Sequence, residues 1–263
     1  MNNMSISERS LFNKVPEVTM TFWIIKMMST TVGETAADYL IFNMKLGLTI
    51  TSILMGAILL STIVIQLRAD KYTPWKYWLA VVLVSIFGTL VTDNLTDQVG
   101  VPLEVSTSMF TLVLLATFWF WYTQEKTLSI RSIDTPKREI FYWSAILVTF
   151  ALGTAAGDWV SEGMNIGYMK STLLFGGLIS IVYAVYLIAR INVVLTFWII
   201  YVLTRPLGAS IGDLLSQPEK NGGLGLGFGV TSTSIIFLVL ISALVVHQSS
   251  KVSTHITISH RGE

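Results

Sequence analysis

Residues 142–158 read YWSAILVTFALGTAAGD. An aromatic–Trp pair opens the stretch, Gly153 stands ten residues after Trp143, and Asp158 stands fifteen after it. Seventeen residues with one charge, at the far end, make up most of a membrane-spanning helix, which needs about 20 mainly apolar residues. In a helix the glycine lies about 15 Å and the aspartate about 22 Å beyond the indole. The same frame recurs in 22–38 (FWIIKMMSTTVGETAAD), 77–93 (YWLAVVLVSIFGTLVTD) and 197–213 (FWIIYVLTRPLGASIGD). Gly33, Gly88, Gly153 and Gly208, then Asp38, Asp93, Asp158 and Asp213, hold both offsets without a gap. The Trp spacings are 55, 65 and 55, and the two halves are offset by 120 residues, which points to two rounds of duplication.

A second helix follows each of these stretches. It opens with Gly47, Pro102, Gly167 or Gly227, and four residues later carries a hydroxyl pair: Thr51-Ser52, Ser106-Thr107, Ser171-Thr172 or Thr231-Ser232. The fourth copy needs a longer loop, around Pro218–Gly223. Eight spans result, near 18–41, 46–67, 75–96, 106–123, 139–161, 167–189, 193–215 and 228–247. The expected fold is therefore an all-α polytopic membrane protein of four helical hairpins. A hairpin returns the chain to its starting side, so the four share one orientation, with pseudo-four-fold or nested two-fold symmetry about an axis along the membrane normal, unlike an inverted repeat.

Composition agrees. The chain of 263 residues is 52% hydrophobic and 13% charged, about half the charge of a soluble domain. A net charge of +1 offers no basic face to nucleic acid, and the absence of cysteine excludes disulfides, thiolate metal sites and iron–sulfur clusters. His247, His255 and His260 all lie near the C-terminus, at or beyond the end of the last span, so no histidine within the membrane is available to hold haem. Twelve of the 17 basic residues fall on the side of the termini, three (Lys45, Lys170, Lys220) on the other, and Lys26 and Arg205 within spans. Positive charge marks the cytoplasmic side, so both termini are expected there. The division is a polar tail at 1–14, one transmembrane domain at 15–247 (repeats about 15–68, 69–128, 135–190 and 191–247), and a second tail at 248–263.

Within this frame the chemistry rests on few side chains. The repeated tryptophans read as headgroup anchors, and Phe118–Tyr122 as an aromatic belt. An aspartate in a span is costly, by a few kcal/mol, yet one recurs at the same phase four times. The four aspartates, with the hydroxyl pairs at similar depth, form an oxygen-rich set suited to a hard cation; the alternative is that each aspartate caps the next helix. Departures from the repeat are more specific. Copy 1 has Glu34 where the others have Thr89, Thr154 and Ala209, and it also has Lys26. Copy 4 has Arg205-Pro206, and copy 2 adds Asp97. In a closed ring copies 1 and 4 are neighbours, so Glu34 and Arg205 are placed to form a buried ion pair, or a gate or coupling element that includes Lys26 and Asp97. Pro206 favours a kink beside it. The glycine-rich run 222–229 lacks the lysine and preceding strand of a phosphate loop and reads as an outer loop.

The four Trp-x9-Gly-x4-Asp repeats resemble a bacterial family of inner-membrane proteins built from four tandem two-span repeats, over about residues 14–247. The resemblance implies a multi-pass bacterial inner-membrane protein and brings no activity or site residue. The residues themselves favour transport of a cation, by carrier or channel: a hard divalent ion such as Mn²⁺, or a proton-coupled small cation, with no resident cofactor. The partners would be the lipid bilayer and that cation, and a homo-oligomer is compatible. The alternatives are a membrane-embedded enzyme or lipid-binding protein using Glu34 or Asp38 as a base, and a non-catalytic sensor or assembly partner.

Overall fold

The structure, a computed structural model, describes residues 13–227 and 229–259, with side chains described to residue 250. Eight long helices follow one another: α1 (Met20–Asp38), α2 (Gly47–Leu67), α3 (Pro74–Asp93), α4 (Leu103–Glu125), α5 (Pro136–Asp158), α6 (Tyr168–Ala189), α7 (Val193–Ser216) and α8 (Gly229–Ser259). No strand occurs among the described residues. Seven helices are long and apolar enough to cross a membrane, the make-up of a multi-pass membrane protein. The exception is α1, which carries Lys26, Glu34 and Asp38. Its charges are tolerated because α3, α7 and α8 pack around it.

The odd helices form the inside. Along α3, α5 and α7 more than half of the apolar window is buried (61, 67 and 56%), whereas along α2, α4, α6 and α8 at most 22% is. The outer helices expose Leu60, Leu112, Leu173, Ile188 and Val239. Their polar side chains bond to their own backbone instead: Ser61, Thr111, Ser180 and Ser242 each donate to the carbonyl four residues back.

The inner helices meet in cyclic order, α1 on α3, α3 on α5, α5 on α7 and α7 on α1. The repeated glycine makes each contact possible. A Cβ on Gly33 would overlap Ser85, one on Gly88 would overlap Phe150, one on Gly153 would overlap Arg205, and one on Gly208 would overlap Thr30. Each partner stands seven residues after the next copy's Trp, so the same contact is made four times and the fourth closes the cycle. Small residues at such crossings let backbones approach closely.

Each outer helix packs chiefly on the inner helix of the following repeat: α2 on α3, α4 on α5, α6 on α7 and α8 on α1. The hydroxyl pairs therefore do not join their own aspartates, as the hairpin reading expected. Two of the eight hydroxyls, Ser52 and Ser171, bond the next repeat. Asn94 donates to Ser52 at 2.7 Å, Ser210 to Ser171 at 3.1 Å, and Ser234 to Thr35 at 2.8 Å. In the fourth copy Ser234, not Thr231 or Ser232, makes the contact, because the longer loop shifts the register. Thr51 bonds only its own helix at the Gly47 carbonyl. The hydroxyl oxygens of Ser106, Thr107 and Thr172 are buried without a hydrogen-bond partner among the described residues.

The tryptophans differ from the expected anchors. Trp78, Trp143 and Trp198 are buried, and each indole N–H is used inside the protein: on Gln248, Glu139 and the Leu128 carbonyl respectively. Only Trp23 stays half-exposed. The belt on α4 splits likewise. Trp119, Phe120 and Tyr122 face outward, while Trp121 is fully buried against Trp198 and Phe141. For Trp78, Trp143 and Trp198 the satisfied N–H and the buried ring outweigh the headgroup preference, whereas the buried Trp121 N–H has no hydrogen-bond partner among the described residues.

The N-terminal segment is also tied down. Lys14 reaches into the terminal face of the bundle and pairs with Glu139 at 2.8 Å, while Gln66 donates to the same carboxylate. The last helix runs past the expected end at His247 to Ser259, since no glycine or proline interrupts residues 230–260. His247 is exposed; the side chain of His255, and His260, lie outside the described residues.

Candidate ion site on the bundle axis

Going inward from the face opposite the termini, the inner helices present one layer of side chains per turn. The first layer is the four aspartates. Asp38, Asp93 and Asp158 end their α-helices, and the chain then continues through single π-helical turns at Tyr39–Asn43, Asn94–Gln98 and Trp159–Gly163. None of these three carboxylates caps a backbone N–H, and α2, α4 and α6 start at Leu46, Pro102 and Gly167 without a side-chain cap. For these three, the capping alternative has no hydrogen bond to rest on among the described residues. Of the four aspartates, Asp158 and Asp213 are brought together with Glu34, while Asp38 and Asp93 are not part of that cluster.

Glu34, Asp158 and Asp213 come closest. Each places a carboxylate oxygen within 4.8 Å of the other two, drawing on repeats 1, 3 and 4. One turn further out, a cavity of about 480 Å³ is lined by Ser161, Glu162, Asn165, Gly167, Tyr168, Gln217 and Asn221. It lies between repeats 3 and 4, bordered by the longer loop of copy 4. Asp97, by contrast, is exposed on its π turn and accepts from Thr96, so it stands apart from the trio.

The next layer holds the ion pair. Arg205 is fully buried and donates through Nη2 to Glu34 Oε2 at 3.0 Å. The same nitrogen donates to the hydroxyls of Thr89 and Thr154, the latter at 2.8 Å. Glu34, Thr89 and Thr154 occupy one position of the repeat, one residue after the glycine, so three copies supply acceptors to an arginine from the fourth. Ala209, the fourth copy's residue there, leaves room for it. The threonines' role was missed in the sequence, although their shared offset with Glu34 was the signal. Pro206 does not break α7, which runs unbroken from Val193 to Ser216. Its ring packs on Gly153 and Gly157, and this close fit holds the helix in place.

Below lies a layer without carboxylates. Lys26 is fully buried, its Nζ 4.2 Å from the ring centre of Phe150 and 4.3 Å from that of Tyr201. Beyond it the paired hydroxyls of Tyr77 and Tyr142, 2.6 Å apart, and the rings of Phe22 and Phe197 close the axis toward the terminal face.

Three carboxylates against one guanidinium leave a formal charge of −2 when all are ionised, with oxygen the only ligand type. That combination suits a hard divalent cation and offers nothing to a soft one.

Four stretches, residues 21–72, 76–127, 141–192 and 196–252, match the family model described as Repeat of Unknown Function (DUF347), and the chain belongs to that family. No curated protein and no solved structure matches it.

Proposed function

We propose that this member of a repeat family without an assigned activity is a membrane carrier for a hard divalent cation such as Mn²⁺. The convergence of Glu34, Asp158 and Asp213 from three repeats carries the reading. The cation would enter through the cavity between repeats 3 and 4 and exchange water for carboxylate oxygens. Arg205 then competes with it for Glu34. The closed aromatic layer beneath favours alternating access over an open pore. With the termini cytoplasmic, as the loop charges imply, the site faces the outside of the cell.

Mn²⁺ uptake into proteoliposomes tests this. Asp158→Asn and Asp213→Asn are expected to lower uptake at least about tenfold, because each removes a charged ligand. Asp97→Asn should leave it unchanged. Wild-type uptake in both ligand variants, with intact folding by gel filtration, would overturn the reading.

A further inference from the structure

Lys26 is a buried cation that the ion pair does not use. It lies eight residues before Glu34 on the same helix, about 12 Å along the axis. Its Nζ makes no hydrogen bond, and no ion pair holds it among the described residues. The groups around it come from every neighbouring helix. On α3 and α5 these are the bonded hydroxyls of Tyr77 and Tyr142, with Glu139 nearer the terminal face and already held by Lys14. On α7 they are Tyr201, whose hydroxyl is also buried without a partner, and Arg205. On α1 itself the nearest carboxylate is Glu34, bonded to Arg205. From Gly229 to Val246, α8 carries no acidic or basic residue.

An ammonium sealed from water without a counter-charge is costly, and two aromatic faces return only part of that cost. A guanidinium keeps its proton in any protein site, whereas a lysine amine can exist with or without its proton. Of the two axial cations, only Lys26 can change its charge. The two are linked through Phe150: Lys26 Nζ lies 4.2 Å and Arg205 Cζ 5.7 Å from the centre of that one ring.

We propose that Lys26 is a proton-binding site, separate from the carboxylate trio, and that its proton and the divalent cation oppose each other through Arg205. When water is admitted from one side and a hydronium ion gives its proton to the amine, an O–H bond breaks, an N–H bond forms, and a second positive charge faces Arg205. Repulsion drives the guanidinium outward onto Glu34 and its neighbours, where it displaces the cation. When the proton returns to water, Arg205 relaxes and the trio is free for the cation. The coupling is reciprocal, since a cation bound at the trio disfavours the proton on Lys26. The proton site stands on the surroundings of Lys26 alone; its opposition to the cation rests on the carrier reading.

Two measurements on protein in lipid nanodiscs separate these parts. Without metal, a difference titration between about pH 5 and pH 9 is expected to show about one proton more per chain taken up by wild type than by Lys26→Met or Lys26→Gln. Equal uptake overturns the proton site. Mn²⁺ calorimetry then tests the coupling. Lys26→Arg, permanently charged, is expected to bind at least about fivefold more weakly than Lys26→Met at every pH, a ratio in the usual range of coupling between sites. Equal affinities overturn the coupling, while absence of Mn²⁺ binding in wild type overturns the carrier reading and the coupling with it, leaving the titration to decide the proton site.

Discussion

Removing the charge of Glu34 leaves Arg205 fully enclosed with only neutral partners, two threonine hydroxyls and the Thr30 carbonyl. Glu34→Gln is therefore expected to cost about 3–5 kcal/mol, the usual penalty for orphaning one half of a buried pair. Glu34→Gln with Arg205→Met should recover a large part of it. A double-mutant cycle of unfolding in mixed micelles measures this, and additive effects would contradict the pair. Gly153 is under a different constraint. A Cβ there would overlap the Arg205 stem, so Gly153→Ala should cost about 1–3 kcal/mol in the same assay. At Gly177 nothing lies within 4 Å of an added Cβ, and Gly177→Ala should stay within about 0.5 kcal/mol. The glycine offset was legible in the sequence because it recurs four times. Its partner was not, because a repeat shows that a position is constrained without saying which surface constrains it. Glu34 and Arg205 were legible because each is too costly in a span to stand alone.

At the scale of elements, the outer helix of each repeat covers the inner helix of the next, and α8 covers α1, so the first and last elements seal one another. The sequence showed that two helices alternate, yet a hairpin loop allows either the near or the next inner helix as partner. Side-chain pairing decides it, and Thr35 and Ser210, which share one offset two residues after the glycine, have Leu90 and Ala155 as their counterparts, so the pairing does not recur as a repeated residue. The tryptophans were misplaced for a related reason: an indole is equally at home at a headgroup or in a core that accepts its N–H, and Gln248 is far from Trp78 in sequence. Because the chain has no cysteine, the covering arrangement can be tested by cross-linking on a clean background. Thr35→Cys with Ser234→Cys replaces two hydroxyls 2.8 Å apart on α1 and α8, a separation that brings the two sulfurs within reach of a bond. Oxidation in membranes is expected to join the N- and C-terminal fragments after cleavage of an intervening loop. Failure to link them, while Ser171→Cys with Ser210→Cys does link α6 to α7, would show that the cycle is open between repeats 4 and 1.

For the molecule as a whole, the closed cycle gathers carboxylates from separate repeats at one end of the axis and fills the other end with packed aromatic side chains. The trio joins residues 34, 158 and 213, so it exists only when repeats 1, 3 and 4 are assembled. A cation bound there stabilises the assembled state and not the separated hairpins. At one hundred times its dissociation constant, Mn²⁺ should then add about 2.7 kcal/mol to stability by mass action. Thermal unfolding followed by tryptophan fluorescence reads this directly, since Trp78, Trp143 and Trp198 are buried in the same bundle. The rise in midpoint is expected to be larger at about pH 8 than at about pH 5, because carboxylates must give up their protons to bind metal. It should vanish in Asp158→Asn and Asp213→Asn and persist in Asp97→Asn, whose carboxylate lies outside the trio. A rise of equal size in all three variants would assign the stabilisation to unspecific binding at exposed acids and remove the trio from the account. The loss in the first two alone would tie metal binding to the carboxylates that repeats 1, 3 and 4 bring together.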